Sequence, residues 1–260
     1  MIHALGDTWT ITRRDLTHWV ARPGLLAVGL LFPVMVVLMF GTLFGGAIAT
    51  PGGDYIEFLL PGMLAMTMLF GLESTMTSVA TDKNRGVTDR FRSLPMSGAA
   101  VVLGRCLADL LNSVLGLAVM VVTGLALGWR WHEGLGRALT AFALLLLLRF
   151  ALLWVGIYLG LAAKGPESVT AVQILVWPVL FLSNAFVDTS TMPGWLAAVA
   201  DWNPLAATAA ASRELFGNPG WAGGGSWVTD HAMVMAVLWP VLLTAVFLPL
   251  SVRRFRALGE

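Results

Sequence analysis

Residues 138–162 read ALTAFALLLLLRFALLWVGIYLGLA, twenty-five residues carrying a single charge, Arg149. An α-helix needs about 20 predominantly apolar residues to cross a hydrocarbon core roughly 30 Å thick. Only helices and closed barrels satisfy every backbone polar group there, and this run shows no two-residue alternation. It therefore predicts a transmembrane helix. Five further stretches read the same way: 25–44, 58–80, 101–127, 168–187 and 232–251. The expected fold is an all-α integral membrane protein with six transmembrane helices in one domain spanning residues 1–260.

Composition agrees. The chain is 57% hydrophobic and 12% charged, whereas soluble chains average roughly 25% charged residues. A net charge of +1 gives no attraction for nucleic acid. The single cysteine, Cys106, excludes an intrachain disulfide and a cysteine-cluster metal site. His3, His18, His132 and His231 are scattered outside the spans, so no metal site is expected. The first apolar run follows a mixed stretch with Asp7, Arg13, Arg14 and Asp15, too late and too acidic for a cleaved signal peptide.

Orientation follows the Lys/Arg bias. With six spans, one side collects Arg13, Arg14, Arg22, Lys83, Arg85, Arg90, Arg92, Arg105, Lys164, Arg253, Arg254 and Arg256, while the other has only Arg130, Arg137 and Arg213. Both termini are expected in the cytoplasm of a bacterial cell. Residues 195–211 are apolar but broken by Asp201, Asn203 and Pro204. They are read as short helices at the outer leaflet within an external segment, 188–231, since a seventh crossing would send the C-terminal Arg cluster outside. Trp129 and Trp131 fall where span three meets the outer surface, and Trp195, Trp202, Trp221 and Trp227 fall in the external segment. Indole rings favour the membrane interface, and packing of an external cap accounts for them equally well.

The N-terminal stretch 1–23 is amphipathic. Leu5, Trp9, Leu16, Trp19 and Val20 share one face, and Asp7, Thr10, Arg14, Thr17 and His18 the other. That is the pattern of a helix lying in the membrane plane, with Trp9, Arg13, Arg14 and Trp19 at the interface. The loop 82–98 after span two is charged but not uniformly so. Val87, Phe91 and Leu94 are spaced i, i+4, i+7 and form one apolar helical face, with Gly86 before it and Pro95 after it. A solvated loop has no need of such a stripe.

Segments in this order resemble a known family: YIEFLLPGM from Tyr55 to Met63, DKNRGVTDRFRSLPMS from Asp82 to Ser97, SNAF from Ser183, MPGWL from Met192, NPL from Asn203, RELFG from Arg213 and RRFR from Arg253. They look like the type-2 ATP-binding cassette exporter permeases, in the daunorubicin/doxorubicin-resistance branch. The resemblance implies that the loop after span two is a coupling helix seated in a groove of the ATP-binding subunit. Arg85, Gly86, Asp89, Arg90, Phe91, Arg92, Leu94 and Pro95 would form it, with Phe91 and Leu94 as apolar anchors and Arg90 and Arg92 at the rim. The chain has no Gly-Lys dipeptide and so no phosphate-binding loop. The resemblance thus implies a non-catalytic membrane subunit that binds no cofactor itself. ATP and Mg would sit on a separate ATPase present in two copies. A second permease subunit, most simply a homodimer partner, would complete the pore among membrane lipids.

Ionisable residues inside spans are rare and costly. Arg105 and Asp109, four residues apart at the start of span three, can pair on one face. Glu73 in span two and Arg149 in span four lie deeper. With those spans taken as antiparallel and counted from their inner ends, the two residues are about six positions, or roughly 9 Å, apart in depth. They are read either as a packing ion pair or as a site where Glu73 faces the substrate path and attracts cations. Asn112, Gln173, Ser183 and Asn184 are read as inter-helix hydrogen-bonding groups. The resemblance implies export of a small hydrophobic or amphipathic molecule such as a drug, antibiotic or lipid. The alternatives are a glycolipid or lipid-linked polymer exporter, or an ion-coupled transporter or channel of a different class.

Overall fold

The computed structural model describes residues 9, 12, 13, 17, 23–43, 45, 54–85, 98–186, 189, 192–220 and 226–257. Its regular structure there is helical: α1 Pro23–Leu43, α2 Tyr55–Asn84, α3 Gly98–Ala126, α4 Gly134–Ala162, α5 Pro166–Phe181, α6 Gly194–Asp201, α7 Pro204–Phe216, α8 Trp227–Asp230 and α9 Ala232–Ala257. Four contain stretches long and apolar enough to cross a membrane: Tyr55–Asn84, Gly104–Ala126, Gly134–Ala162 and Ala232–Phe255. Residues 9, 12, 13 and 17 are also helical.

Boundaries follow local chemistry. Proline opens α1, α5 and α7, where its missing N–H costs nothing. Gly217 ends α7 at φ 68°, and the Asn218 and Gly217 amides donate to the Arg213 and Glu214 carbonyls at 3.0 and 3.2 Å. This is the left-handed termination that glycine adopts most cheaply.

The central element is α2. Of its apolar stretch 72% is buried, against 33% for α3 and 17% for α9. Its most extensive partner is α4, and the two backbones meet where α4 presents glycine. A Cβ at Gly156 would lie 2.9 Å from the Leu72 carbonyl oxygen, and one at Gly160 would lie 2.7 Å from that of Met76. Small residues one turn apart are what let membrane helices approach this closely. The pairing order, Gly71 against Arg149 and then Met76 and Val79 against Gly160, shows that α2 and α4 run parallel. The antiparallel reading is corrected: two spans separated by one intervening span run in the same direction.

Helix α7 packs on α2, α4 and α9. Asn203 at its start is bonded to the end of α5, and Asn218 after its end is bonded to the connection between α3 and α4. The segment therefore begins and ends on one side of the bundle and lies across the ends of the long helices. Along α1, α3, α5 and α9, large apolar side chains such as Leu31, Met35, Val122, Ile174 and Val241 remain exposed, as a lipid-embedded surface requires.

Candidate functional site

One end of the bundle is braced around the start of the loop 82–98. Lys83, in the last turn of α2, donates from Nζ to the Leu161 and Ala163 carbonyls, both at 2.9 Å. A cation there supplies partners for carbonyls that a helix end leaves unpaired. Arg105 near the start of α3 forms an ion pair with Asp82 at 2.9 Å and donates to the Ser78 hydroxyl. Helices α2, α3 and α4 are thus fastened to one another where the loop leaves and re-enters. Arg85 caps α2 and is exposed. Gly86, Asp89, Arg90, Phe91, Arg92, Leu94 and Pro95 lie outside the described residues. The N-terminal segment reaches this region: the buried Thr12 hydroxyl donates to the Gly104 carbonyl at 3.1 Å. Trp9 is exposed, and Arg14 and Trp19 lie outside the described residues.

Deeper in the bundle, Arg149 on α4 is only 1% exposed. Its Nη2 lies 3.1 Å from Asp109 Oδ2 and donates to Thr75 Oγ1 at 2.7 Å, while Nε donates to Ser113 Oγ at 2.9 Å. The Ser113 hydroxyl donates its proton to the Asp109 carbonyl at 2.8 Å, so its oxygen is free to accept from Arg149. Thr75 Oγ1 lies 2.6 Å from Asp109 Oδ2. Gly71 makes room for the guanidinium, since a Cβ there would fall 2.5 Å from Nε.

Two sequence expectations are corrected here. Arg105 pairs with Asp82, leaving Asp109 to Arg149. Arg149 does not pair with Glu73 either. It approaches the face of α2 that carries Gly71 and Thr75, and two residues of α-helix turn through 200°, which puts Glu73 on the opposite side. Glu73 is half-buried, and its Oε1 is sequestered with no hydrogen-bond partner among the described residues.

The opposite end is held by polar side chains whose partners the sequence did not indicate. Asn203 Oδ1 accepts from the Leu205 amide at 2.9 Å, capping α7, while Nδ2 donates to the Val179 and Leu182 carbonyls, both at 2.6 Å. Buried Arg213 donates from Nε to the Phe58 carbonyl at 2.8 Å and from Nη2 to those of Asn184 and Ala185, and its Cζ lies 4.0 Å over the Phe58 ring. Trp129 is not a lipid-facing ring. It is fully buried, donates from Nε1 to Asn218 Oδ1 at 2.7 Å and packs edge-on against Phe216. Trp195, Trp202 and Trp227 are exposed.

Asn203 permits a direct test. Replacing it with alanine removes a cap and strands two carbonyls, a loss of about 2 kcal/mol. The melting temperature of the detergent-purified chain should fall accordingly, and Asn203→Asp, which keeps the cap but not the donors, should fall between the two. An Asn203→Ala protein that melts with the wild type would contradict this account.

This arrangement defines a multi-pass membrane protein, helical in the regular structure of its described residues, with Arg149 and Asp109 paired inside the bundle. Residues 6–216 match the family described as ABC-2 type transporter, and the chain belongs to that family. It is 40% identical, over 87% of its own length and 77% of the relative's, to the daunorubicin resistance ABC transporter permease protein DrrB1 of Streptomyces coeruleorubidus. It is 25% identical, over 96% of its length and 89% of the relative's, to a Mycobacterium tuberculosis protein named "Probable doxorubicin resistance ABC transporter permease protein DrrC". The chain is an ABC transporter permease, and a permease of this kind works with a partner ATPase.

Proposed function

We propose that this chain is the membrane subunit of an ATP-driven exporter that moves hydrophobic or amphipathic molecules, of drug or lipid type, out of the cytoplasm or inner leaflet of a bacterial cell membrane. The observation that carries the reading is the family match over residues 6–216 together with relatives named for drug resistance. In this reading the chain crosses the membrane six times, with α1, α2, α3, α4, α5 and α9 as spans and both termini cytoplasmic. Two copies pair around the path, and each docks one ATPase chain that binds ATP and Mg. The permease itself catalyses no reaction. Residues Arg85–Leu94 form the docking element. The bonds of Lys83 and Arg105 support this role, because a loop anchored on three fastened helices passes movement to them instead of absorbing it.

Co-expression with its cassette ATPase tests the proposal. Phe91→Asp places a charge in an apolar anchor and should reduce recovered ATPase and drug efflux by about tenfold or more, with the permease's own yield unchanged. Undiminished ATPase binding in that variant, or full transport by the purified permease driven by an ion gradient alone, would overturn it.

A further inference from the structure

Helices α2 and α3 meet along a seam of polar side chains whose order matters. Gly71, Thr75, Ser78 and Asp82 recur at steps of four, three and four, so they share one face of α2. Arg105, Asp109 and Ser113 recur at steps of four on α3. The two helices run antiparallel: Asp82 meets Arg105, Thr75 meets Asp109, and a Cβ at Gly116 would lie 3.5 Å from Thr67 Cγ2. Arg149 enters the seam from α4. The seam thus holds two ion pairs at successive levels, Asp82 with Arg105 at 2.9 Å and Asp109 with Arg149 at 3.1 Å, and the acid and base exchange helices between them.

Rows that repeat once per turn invite a slip of one turn, about 5.4 Å, because the same spacing recurs after the slip. Here the order of the charges opposes it in both directions. With α3 displaced one turn toward the loop 82–98, Asp109 comes level with Asp82, and Arg149 faces Ser113 without its counterion. With α3 displaced one turn the other way, Arg105 comes level with Arg149, and Asp82 loses its cation. Either slip brings like charges together in a setting where Arg149 is 1% exposed and Asp109 13%. Repulsion there is far stronger than in water. Apolar packing discriminates less well, since one level of leucine resembles the next. Helices α2 and α4 are interlocked separately, by the close approach at Gly156 and Gly160.

We propose that Asp82, Arg105, Asp109 and Arg149 are positioning residues that fix the axial register of α3 against α2 and α4. Movement of the loop 82–98 then enters the bundle as tilting or rotation of three helices together, and not as α3 sliding along α2. The register follows from the geometry of the seam, and only its consequence for transport rests on the exporter reading.

The test reads register by disulfide cross-linking in the permease–ATPase complex in lipid nanodiscs, with Cys106→Ser as background. Thr67→Cys is combined with Gly116→Cys for the observed register, and with Asn112→Cys or Met120→Cys for a slip of one turn either way. With the four charges native, the Gly116 pair should cross-link about tenfold or more in excess of either slipped pair, at rest and during ATP turnover. The decisive variant exchanges one pair, Asp82→Arg with Arg105→Asp. It preserves an acid against a base at both levels of the observed register. It also gives each slip an attractive contact, position 82 with Asp109 or position 105 with Arg149. The exchange should therefore reduce the cross-linking preference to about threefold or less and lower drug efflux, while the ATPase remains bound. Slipped pairs that cross-link efficiently with the native charges would show that α3 slides, and an exchange variant as register-specific as the native seam would reduce the pairs to simple cohesion; either result overturns the proposal. Both leave the exporter reading to the Phe91→Asp experiment.

Discussion

Arg149→Met is expected to leave little folded protein. The substitution keeps the approximate volume but removes the cation from a setting in which Arg149 is 1% exposed and Asp109 13%. Asp109 would then face Thr75 with its negative charge uncompensated, and Ser113 would lose the N–H that its oxygen accepts. Breaking a buried pair from one side typically costs about 3–5 kcal/mol, because the surviving charge has neither water nor partner. Removing both charges is often close to neutral. The double variant Arg149→Met with Asp109→Asn should therefore recover most of the monodisperse protein on size exclusion after detergent extraction, where the single variant aggregates. A single variant as stable as the wild type, or a double variant no better than the single, would show that the pair does not hold α3 to α2 and α4.

Gly160→Val should be nearly as damaging for a different reason. The added Cβ would lie 2.7 Å from the Met76 carbonyl oxygen and 2.7 Å from Val79 Cβ. One of those atoms belongs to the backbone of the most buried helix in the bundle and has no rotamer to escape into. The helices must separate, losing the Gly156 and Gly160 contacts together, at about 3 kcal/mol or more. Gly136, on the same helix, is the control: a Cβ there meets nothing within 4 Å, so Gly136→Ala should be neutral or stabilising by a few tenths of a kcal/mol. Thermal unfolding of the two variants side by side reads the difference, and equal melting temperatures would rule out close packing of α2 on α4.

The segment after α5 shows how legibility divides. That 195–211 is broken into short helices could be read from Asp201, Asn203 and Pro204, since a buried polar break is incompatible with a lipid-exposed span. That Asn203 fastens α5, or that Arg213 ties together the start of α2 and the segment after α5, could not. Their partners are backbone carbonyls, and every residue has one. The Gly156-x-x-x-Gly160 spacing lies in the sequence of α4, but it was not read there as a packing signal, and it does not say which helix it meets.

The sequence alone determined that this is a helical membrane protein and pointed to its family. Both rest on properties carried by single residues summed over long runs: hydrophobicity over about twenty positions, and the order of motifs along the chain. Only the tertiary structure decided which charges neutralise which. Pairing depends on the rotational phase of each helix, and a 200° difference between Thr75 and Glu73 sends one toward Arg149 and the other away from it. A one-dimensional reading gives depth along a helix but not the neighbour it faces, so Arg149 with Glu73 and Arg149 with Asp109 were equally admissible until the helices were packed.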